Sequence, residues 1–207
     1  MQNDLFPTDA ESERLRYEPF HESVEILDLY EHHRSGEMDV VMRPLGENPH
    51  ATPKATMDEL QSAKEAWESG ERATYTISSK SDGEFVGVAE QWLEWDKRRA
   101  SFGMWIREPF WGRGCSSERA GTMSYVAFEW LDLDLVSVGH DPENEQSRRA
   151  IEKYVDAYCG QHDAVLRNWL PSNDFGDPTG VHVYSILQEQ WRENVTTAEI
   201  ATIRVGA

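Results

Sequence analysis

Apolar and polar positions alternate along the chain in a way that predicts short strands interleaved with four amphipathic helices. Glu13 to Tyr17 is an expected strand, stopped at Pro19-Phe20. Val24, Leu27 and Tyr30 recur at helical spacing, so a helix is expected over roughly His21 to His33. Prolines and Gly/Asn signals make Met42 to Pro53 a loop. Thr56-Met57-Asp58-Glu59 has the form of a capping box, with Met57, Leu60, Ala63 and Trp67 behind it and Gly70 as the stop. The period then changes to two. Thr74 to Ser78, Glu84 to Trp95 and Ala100 to Ile106 are expected strands, joined by Ser81-Asp82-Gly83 and Asp96-Lys97 into an antiparallel meander. A glycine-rich turn leads to a helix over about Ser117 to Leu131, with Ala120, Met123, Ala127 and Trp130 on one face. Leu135 to Gly139 is a short strand, and Asn144 to Tyr158 a helix carrying Ile151, Tyr154 and Tyr158. Val165 to Arg167 and Val181 to Leu187 close the pattern as strands. This order predicts an α+β fold, a mixed sheet flanked by helices, in a single domain over residues 1–207.

Composition adds further constraints. Eight Trp residues argue for a packed core, and no apolar run nears the ~20 residues that span a bilayer. Met1-Gln2-Asn3-Asp4 lacks the basic and apolar regions of a signal peptide, so a cytoplasmic protein with no membrane partner is expected. The net charge is −18, and acids occur all along the chain. Such self-repulsion destabilises a fold in dilute buffer but is screened at high salt. A salt-adapted protein is the expectation, an ordinary acidic enzyme the alternative. A nucleic-acid partner is not expected, because phosphate binding needs a clustered basic surface. Cys115 and Cys159 have neither zinc-site nor disulfide-framework spacing, so no metal is expected.

The chemistry concentrates in Trp111-Gly112-Arg113-Gly114-Cys115-Ser116-Ser117. A strand that enters a Gly-rich turn and then a helix presents main-chain N–H groups to an anion, with the helix dipole favouring negative charge. No Lys follows either glycine, as a P-loop requires, and Ser117 stands where GxGxxG needs its third glycine. The preceding strand also belongs to an antiparallel meander, unlike a dinucleotide βαβ unit. A pyrophosphate such as that of coenzyme A fits the turn. A turn merely shaped by Gly112 and Gly114 is the alternative.

Phe102 to Glu118 resembles the strand and CoA loop of the GNAT N-acetyltransferases, closest to the branch of the ribosomal-protein N-terminal (Rim-type) acetyltransferases, where W-G-x-G-x-x-x-E before a helix is common. Trp111 and Ser116 depart from the general Q/R-x-x-G-x-G/A pattern. Asp141 to Lys153 resembles the family's N-x-x-S-x-x-x-x-E-K helix, and Val183 to Leu187 with Glu189-Gln190-Trp191 resembles its closing strand. Arg14-Leu15-Arg16 and Gly83 to Gly87 also fit, so the likeness covers roughly residues 12–191. After Lys153 the chain departs from the family's K-L-G-F step.

The resemblance implies a GNAT-like, mostly antiparallel sheet of about seven strands flanked by four helices. It also implies direct transfer of an acetyl group from acetyl-CoA to a primary amine, either a protein N-terminus or a small amine. A CoA-binding domain without catalysis, acting as a sensor or assembly module, is the alternative. Gly112, Arg113, Gly114, Cys115, Ser116 and Ser117 would hold the pyrophosphate, and the main chain of Trp105 and Ile106 would pair with the pantetheine. Asn144 would contact the pantetheine, and Ser147 would protonate the leaving thiolate. Glu90, Glu94 and His140 are candidates for the base, Glu90 foremost, and Tyr154 is a second candidate acid. Cys115 lacks a His partner and is not expected to act as a nucleophile. Dimers are common among similar proteins, so a homodimer is among the expected states.

Overall fold

The computed structural model describes residues 5–171 and 176–206. Among them a single nine-stranded sheet organises the chain. In sequence order the strands are β1 (Asp9–Glu11), β2 (Leu15–Pro19), β3 (Arg72–Ser79), β4 (Phe85–Glu94), β5 (Arg99–Ile106), β6 (Leu135–His140), β7 (Gln161–Leu170), β8 (Thr179–Leu187) and β9 (Arg204–Gly206). Across the sheet they run β7-β8-β6-β5-β4-β3-β2-β1-β9, and only β5 and β6 pair in parallel. The expected α+β class and meander are present. The two additional strands, β1 and β9, are three residues each and pair with one another near opposite ends of the chain. So short a segment has no period to read.

Local chemistry explains where the helices differ from expectation. The helix expected over His21 to His33 is two, α1 (Phe20–Ser23) and α2 (Ile26–Arg34), because Val24 and Glu25 are extended. α3 (Glu37–Met42) follows from Gly36, whose φ of 81° is open to glycine. α4 (Pro53–Ser69) starts earlier than its apparent capping box: Thr52 Oγ1 accepts from the Ala55 N–H at 3.3 Å, and Pro53 takes the first turn. Thr56 is instead buried inside that helix. Gly70 ends it in the left-handed region, as expected. α5 (Cys115–Tyr125) runs into a π-helical turn, Val126–Trp130. α6 (Glu145–Ala157) and the C-terminal α7 (Gln188–Asn194) and α8 (Thr197–Thr202) complete the set.

The sheet buries both faces. On one, Phe102, Ile106, Val136 and Val138 pack with Ala120 and Met123 of α5 and Ile151 and Tyr154 of α6. On the other, Val88 and Trp105 meet Phe20, Leu29, Met38, Val41 and Leu60 from α1 to α4. Each such large apolar side chain, fully buried, contributes about 1.5–3 kcal/mol.

One part of the sheet is open. β5 and β6 pair from Arg99↔Leu135 to Phe102↔Val138 and no further, although β5 runs on to Ile106 and β6 to His140. On its other side β5 stays paired with β4 up to Gly87↔Ile106. The strands diverge into a V whose vertex is Phe102 and Val138.

Candidate active site

Two features of the main chain converge at the mouth of the V. The first is the loop leading from β5 to α5. Gly112 has φ 72° and Gly114 φ 83°, both in the left-handed region. Gly114 is the N-cap, so α5 begins at Cys115, two residues earlier than the sequence indicates. No side chain caps this end, which leaves the amides of Cys115, Ser116 and Ser117 free of intrahelical partners and turned outward along the helix axis. The loop is braced from behind. Arg14 donates from Nη1 to the Arg113 carbonyl (2.7 Å) and from Nε to Glu118 Oε2 (2.8 Å), while Glu118 Oε1 accepts from the Ser12 hydroxyl (2.7 Å) and the Arg14 amide (2.6 Å). The glutamate of the W-G-x-G-x-x-x-E pattern therefore ties the loop to the start of β2. Arg113 itself is exposed and lies over the Phe110 ring, 5.3 Å from its centroid. The Ser116 hydroxyl turns inward to Met104 Sδ at 3.6 Å.

The second feature is the free edge of β5. The Arg107 N–H donates to the Val86 carbonyl at 2.9 Å. In an antiparallel ladder, hydrogen-bonded and non-bonded pairs alternate, so Trp105 and Gly103 also turn their main chain toward β4. Met104 and Ile106 face the other way, into the V. The Ile106 carbonyl is occupied by Trp111 Nε1 at 2.7 Å, while its N–H looks into the opening. The sequence named Trp105 and Ile106 for the pantetheine; in the register the main chain of Trp105 turns toward β4, and that of Met104 and Ile106 toward the V.

The candidate acids and bases separate by face. Glu90 shares the face of Val88 and Trp105 and pairs across the ladder with Gly103, the first residue beyond the vertex. A Cβ on Gly103 would sit 3.6 Å from Glu90 Oε2. Burial pushes the Glu90 carboxyl up to about 7, opposed by the guanidinium of Arg72, whose Nη1 is 3.6 Å away. Glu94 is unsuited as a base: it ion-pairs with Lys97 and Arg99 at the far end of β4, and hydrogen bonds from both hold its pKa down. His140 shares the alternating face of Val136 and Val138, opposite to Glu90, with Nδ1 2.8 Å from the Asp141 carbonyl. The structure does not bring the two together. Asn144 caps α6, its Oδ1 accepting from the Ser147 N–H at 3.0 Å, which places the half-buried Ser147 in the helix's first turn. Tyr154 is 2% exposed, with burial raising its phenol, and its hydroxyl has no partner among the described residues. Burial likewise raises the Cys115 thiol, opposite to what a nucleophile needs.

Sequence reasoning missed a polar group beside Glu90. Glu59 on α4, Glu47 and His50 on the preceding loop, and His33 at the end of α2 come together there. Burial pushes Glu59 up to about 7, and the charges of Glu90 and Glu47 add to it. His33 and His50 stack with centroids 3.8 Å apart, and His50 Nε2 is 3.2 Å from Glu59 Oε2. His33, His50 and Glu59 bring three potential metal-ligand atoms within 4.8 Å. The chemistry does not favour a metal, however. The His50 amide donates to His33 Nδ1 at 3.1 Å, so the neutral ring carries its proton on Nε2, and a protonated nitrogen offers no lone pair. Burial lowers the His33 pKa to about 4, keeping that neutral form. No local signal in the sequence points to this group, because its members come from three separate segments.

No helix among the described residues is long and apolar enough to cross a membrane. No curated protein matches the sequence. Solved structures do match. A GCN5-related N-acetyltransferase from Brucella melitensis is 16% identical with a TM-score of 0.74, over 96% of this chain and 95% of that one. Spermidine N-acetyltransferase from Vibrio cholerae, solved with CoA and spermine, is 17% identical with a TM-score of 0.68, over 86% of this chain and 98% of that one. A Vibrio cholerae structure whose name proposes a ribosomal-protein-serine acetyltransferase is 17% identical with a TM-score of 0.70, over 88% and 99%. At these identities the likeness is one of fold. A family model for the acetyltransferase (GNAT) domain matches residues 14–154, and with two thirds of its length inside that match the chain belongs to the GNAT acetyltransferase family.

Proposed function

We propose that the chain transfers the acetyl group of acetyl-CoA directly to a primary amine, on a small molecule or at a protein N-terminus. The observation that carries this reading is the V between β5 and β6, with the main-chain edge of Met104 and the N–H of Ile106 turned into it, beside the uncapped start of α5. The pyrophosphate lies on the loop and helix amides from Gly112 to Ser117. The pantetheine enters the V as an added strand. An N–H of Met104 or Ile106 polarises the thioester carbonyl, where negative charge develops in the transition state.

Glu90 takes the proton from the incoming ammonium. A carboxyl held near 7 is well matched to this task at neutral pH, since the best base titrates close to the working pH. The neutral amine then attacks the carbonyl carbon. The C–N bond forms, the C–S bond breaks, the departing thiolate receives a proton from Ser147, and the proton that the nitrogen sheds as the amide forms returns to Ser147, with Asn144 holding the start of α6. Thiol release from acetyl-CoA, measured against an amine panel alongside calorimetry with CoA, tests the reading. Micromolar CoA affinity with amine-dependent thiol release is expected. Affinity without turnover would instead indicate a non-catalytic CoA-binding domain.

A further inference from the structure

Beneath the vertex of the V, on the α5 and α6 face, lies a positive charge without a counterion. Arg119 of α5 is 1% exposed. Its guanidinium carbon is 5.3 Å from the ring centroid of Phe102, the vertex residue, and 5.9 Å from that of Tyr154 on α6. Its one polar contact among the described residues is from Nη2 to Met104 Sδ at 2.9 Å, a neutral and weak acceptor. Nε and Nη1 are closed off from solvent and have no partner among the described residues, and the same holds for the Tyr154 hydroxyl. Burial raises the Tyr154 phenol and the guanidinium opposes it, so the two groups sense one another. Aromatic rings attract a guanidinium through their faces but accept none of its in-plane N–H bonds. The chain has 38 acidic residues, yet none forms an ion pair with this cation among the described residues. A buried charge left in this state costs stability, which an anion returns on binding.

The layout of the cleft selects that anion. The loop at the mouth of the V serves the pyrophosphate, and Glu90 stands on the opposite face of the sheet. The part of the substrates that reaches the vertex on the α5 and α6 face is the acyl chain of the thioester. Met104 measures the span: its main chain edges the V, while its Sδ, three bonds from Cα, touches Arg119. An acyl chain whose carbonyl sits at the Met104 N–H and runs beside this side chain brings a carboxylate three bonds away to the guanidinium. The flexible thioether of Met104 can turn aside for it.

Resting on the acyl-transfer reading above, we propose that the chain also transfers acyl groups ending in a carboxylate, of which succinyl is the matching length, with Arg119 and the Tyr154 hydroxyl holding that carboxylate. The amine attacks the thioester carbon, the C–N bond forms, the C–S bond breaks and CoA leaves as the thiol. Protons move as in acetyl transfer, and the distal carboxylate is unchanged.

The experiment compares succinyl-CoA with butyryl-CoA, whose acyl chain has four carbons and no charge, by thiol release with one amine. A charge-assisted hydrogen bond makes kcat/KM roughly ten- to a hundred-fold higher for succinyl-CoA. Arg119→Met removes the charge at similar length and is expected to bring the ratio to one or below. Its melting temperature, expected to be no lower than the native protein's, shows that it folds. A readout on the native protein alone stands beside it: without amine, succinyl-CoA should raise the melting temperature more than butyryl-CoA at equal concentration. A ratio of one in the native protein, a ratio unmoved in Arg119→Met, or equal thermal shifts would overturn the assignment. Thiol release from acetyl-CoA with no preference for succinyl over butyryl removes this inference alone. No thiol release from any of the three donors removes the acyl-transfer reading and this inference with it.

Discussion

The two sides of the cleft are built from different materials. The donor side is main chain: two left-handed glycines, three uncapped amides at the start of α5, and a strand edge with no neighbour. Its side chains, Arg14 and Glu118, act by bracing. The acceptor side is side chain: Glu90, Glu59, Glu47, His33, His50 and Arg72, drawn from five segments, with burial raising the carboxyls. A cofactor common to many reactions can be gripped by groups that every residue has. An acceptor has to be distinguished from other amines, and that needs charges placed in a low-dielectric setting.

The largest effect should separate the two sides. Glu90→Gln is expected to lower kcat by about 10²–10³-fold while CoA affinity, read by calorimetry, stays within a factor of two. In the native enzyme the rate should fall as pH drops through about 7, because the base must be deprotonated, and that limb should vanish in the variant. The opposite dissociation is expected on the donor side. Gly114→Ala places a Cβ 3.3 Å from Arg14 Nη2 in a left-handed conformation, at a cost of about 1–2 kcal/mol. CoA should then bind roughly tenfold more weakly. Arg14→Ala should act in the same direction by freeing the loop, with a smaller loss.

A stability measurement sharpens the contrast further. Glu90 has a folded pKa near 7 against 4.5 unfolded, so its stabilising contribution is complete below pH 4.5 and is lost as pH rises through 7. Glu90→Gln should therefore melt higher than the native protein at pH 8 by a few degrees, with the difference closing toward pH 5. The smallest expected effect concerns the whole surface. With a net charge of −18, the melting temperature should rise between low salt and molar KCl, and a flat response would remove the salt-adapted reading.

The donor side was largely legible in the sequence because its determinants are contiguous. Gly112 and Gly114 fall in one turn, and Asn144 and Ser147 in one helical turn. What escaped was parity and boundary. Whether Trp105 or Met104 faces the V depends on the register between β4 and β5, fixed by the turn that joins them, which alternation alone does not locate. Thr56 resembles a cap, but Thr52 followed by Pro53 provides the better start one turn earlier. The acceptor side was legible only at Glu90, which stands on a clearly alternating strand. Glu59 reads as the acid of an apparent capping box, and His33 and His50 lie in a helix end and a Pro-rich loop. Their juxtaposition is created by the packing of α2, α4 and the loop between them, at sequence separations that no local pattern encodes.

The central claim is that CoA is held by main-chain groups of the loop and of one free strand edge. Amide hydrogen exchange, resolved residue by residue with and without CoA, tests it most directly. The account predicts slowed exchange at Met104, Ile106 and Cys115 to Ser117 on CoA binding, with Trp105 unchanged because its N–H already serves β4. CoA binding that protects Trp105, or that leaves Met104 and Ile106 exchanging as before, would contradict it.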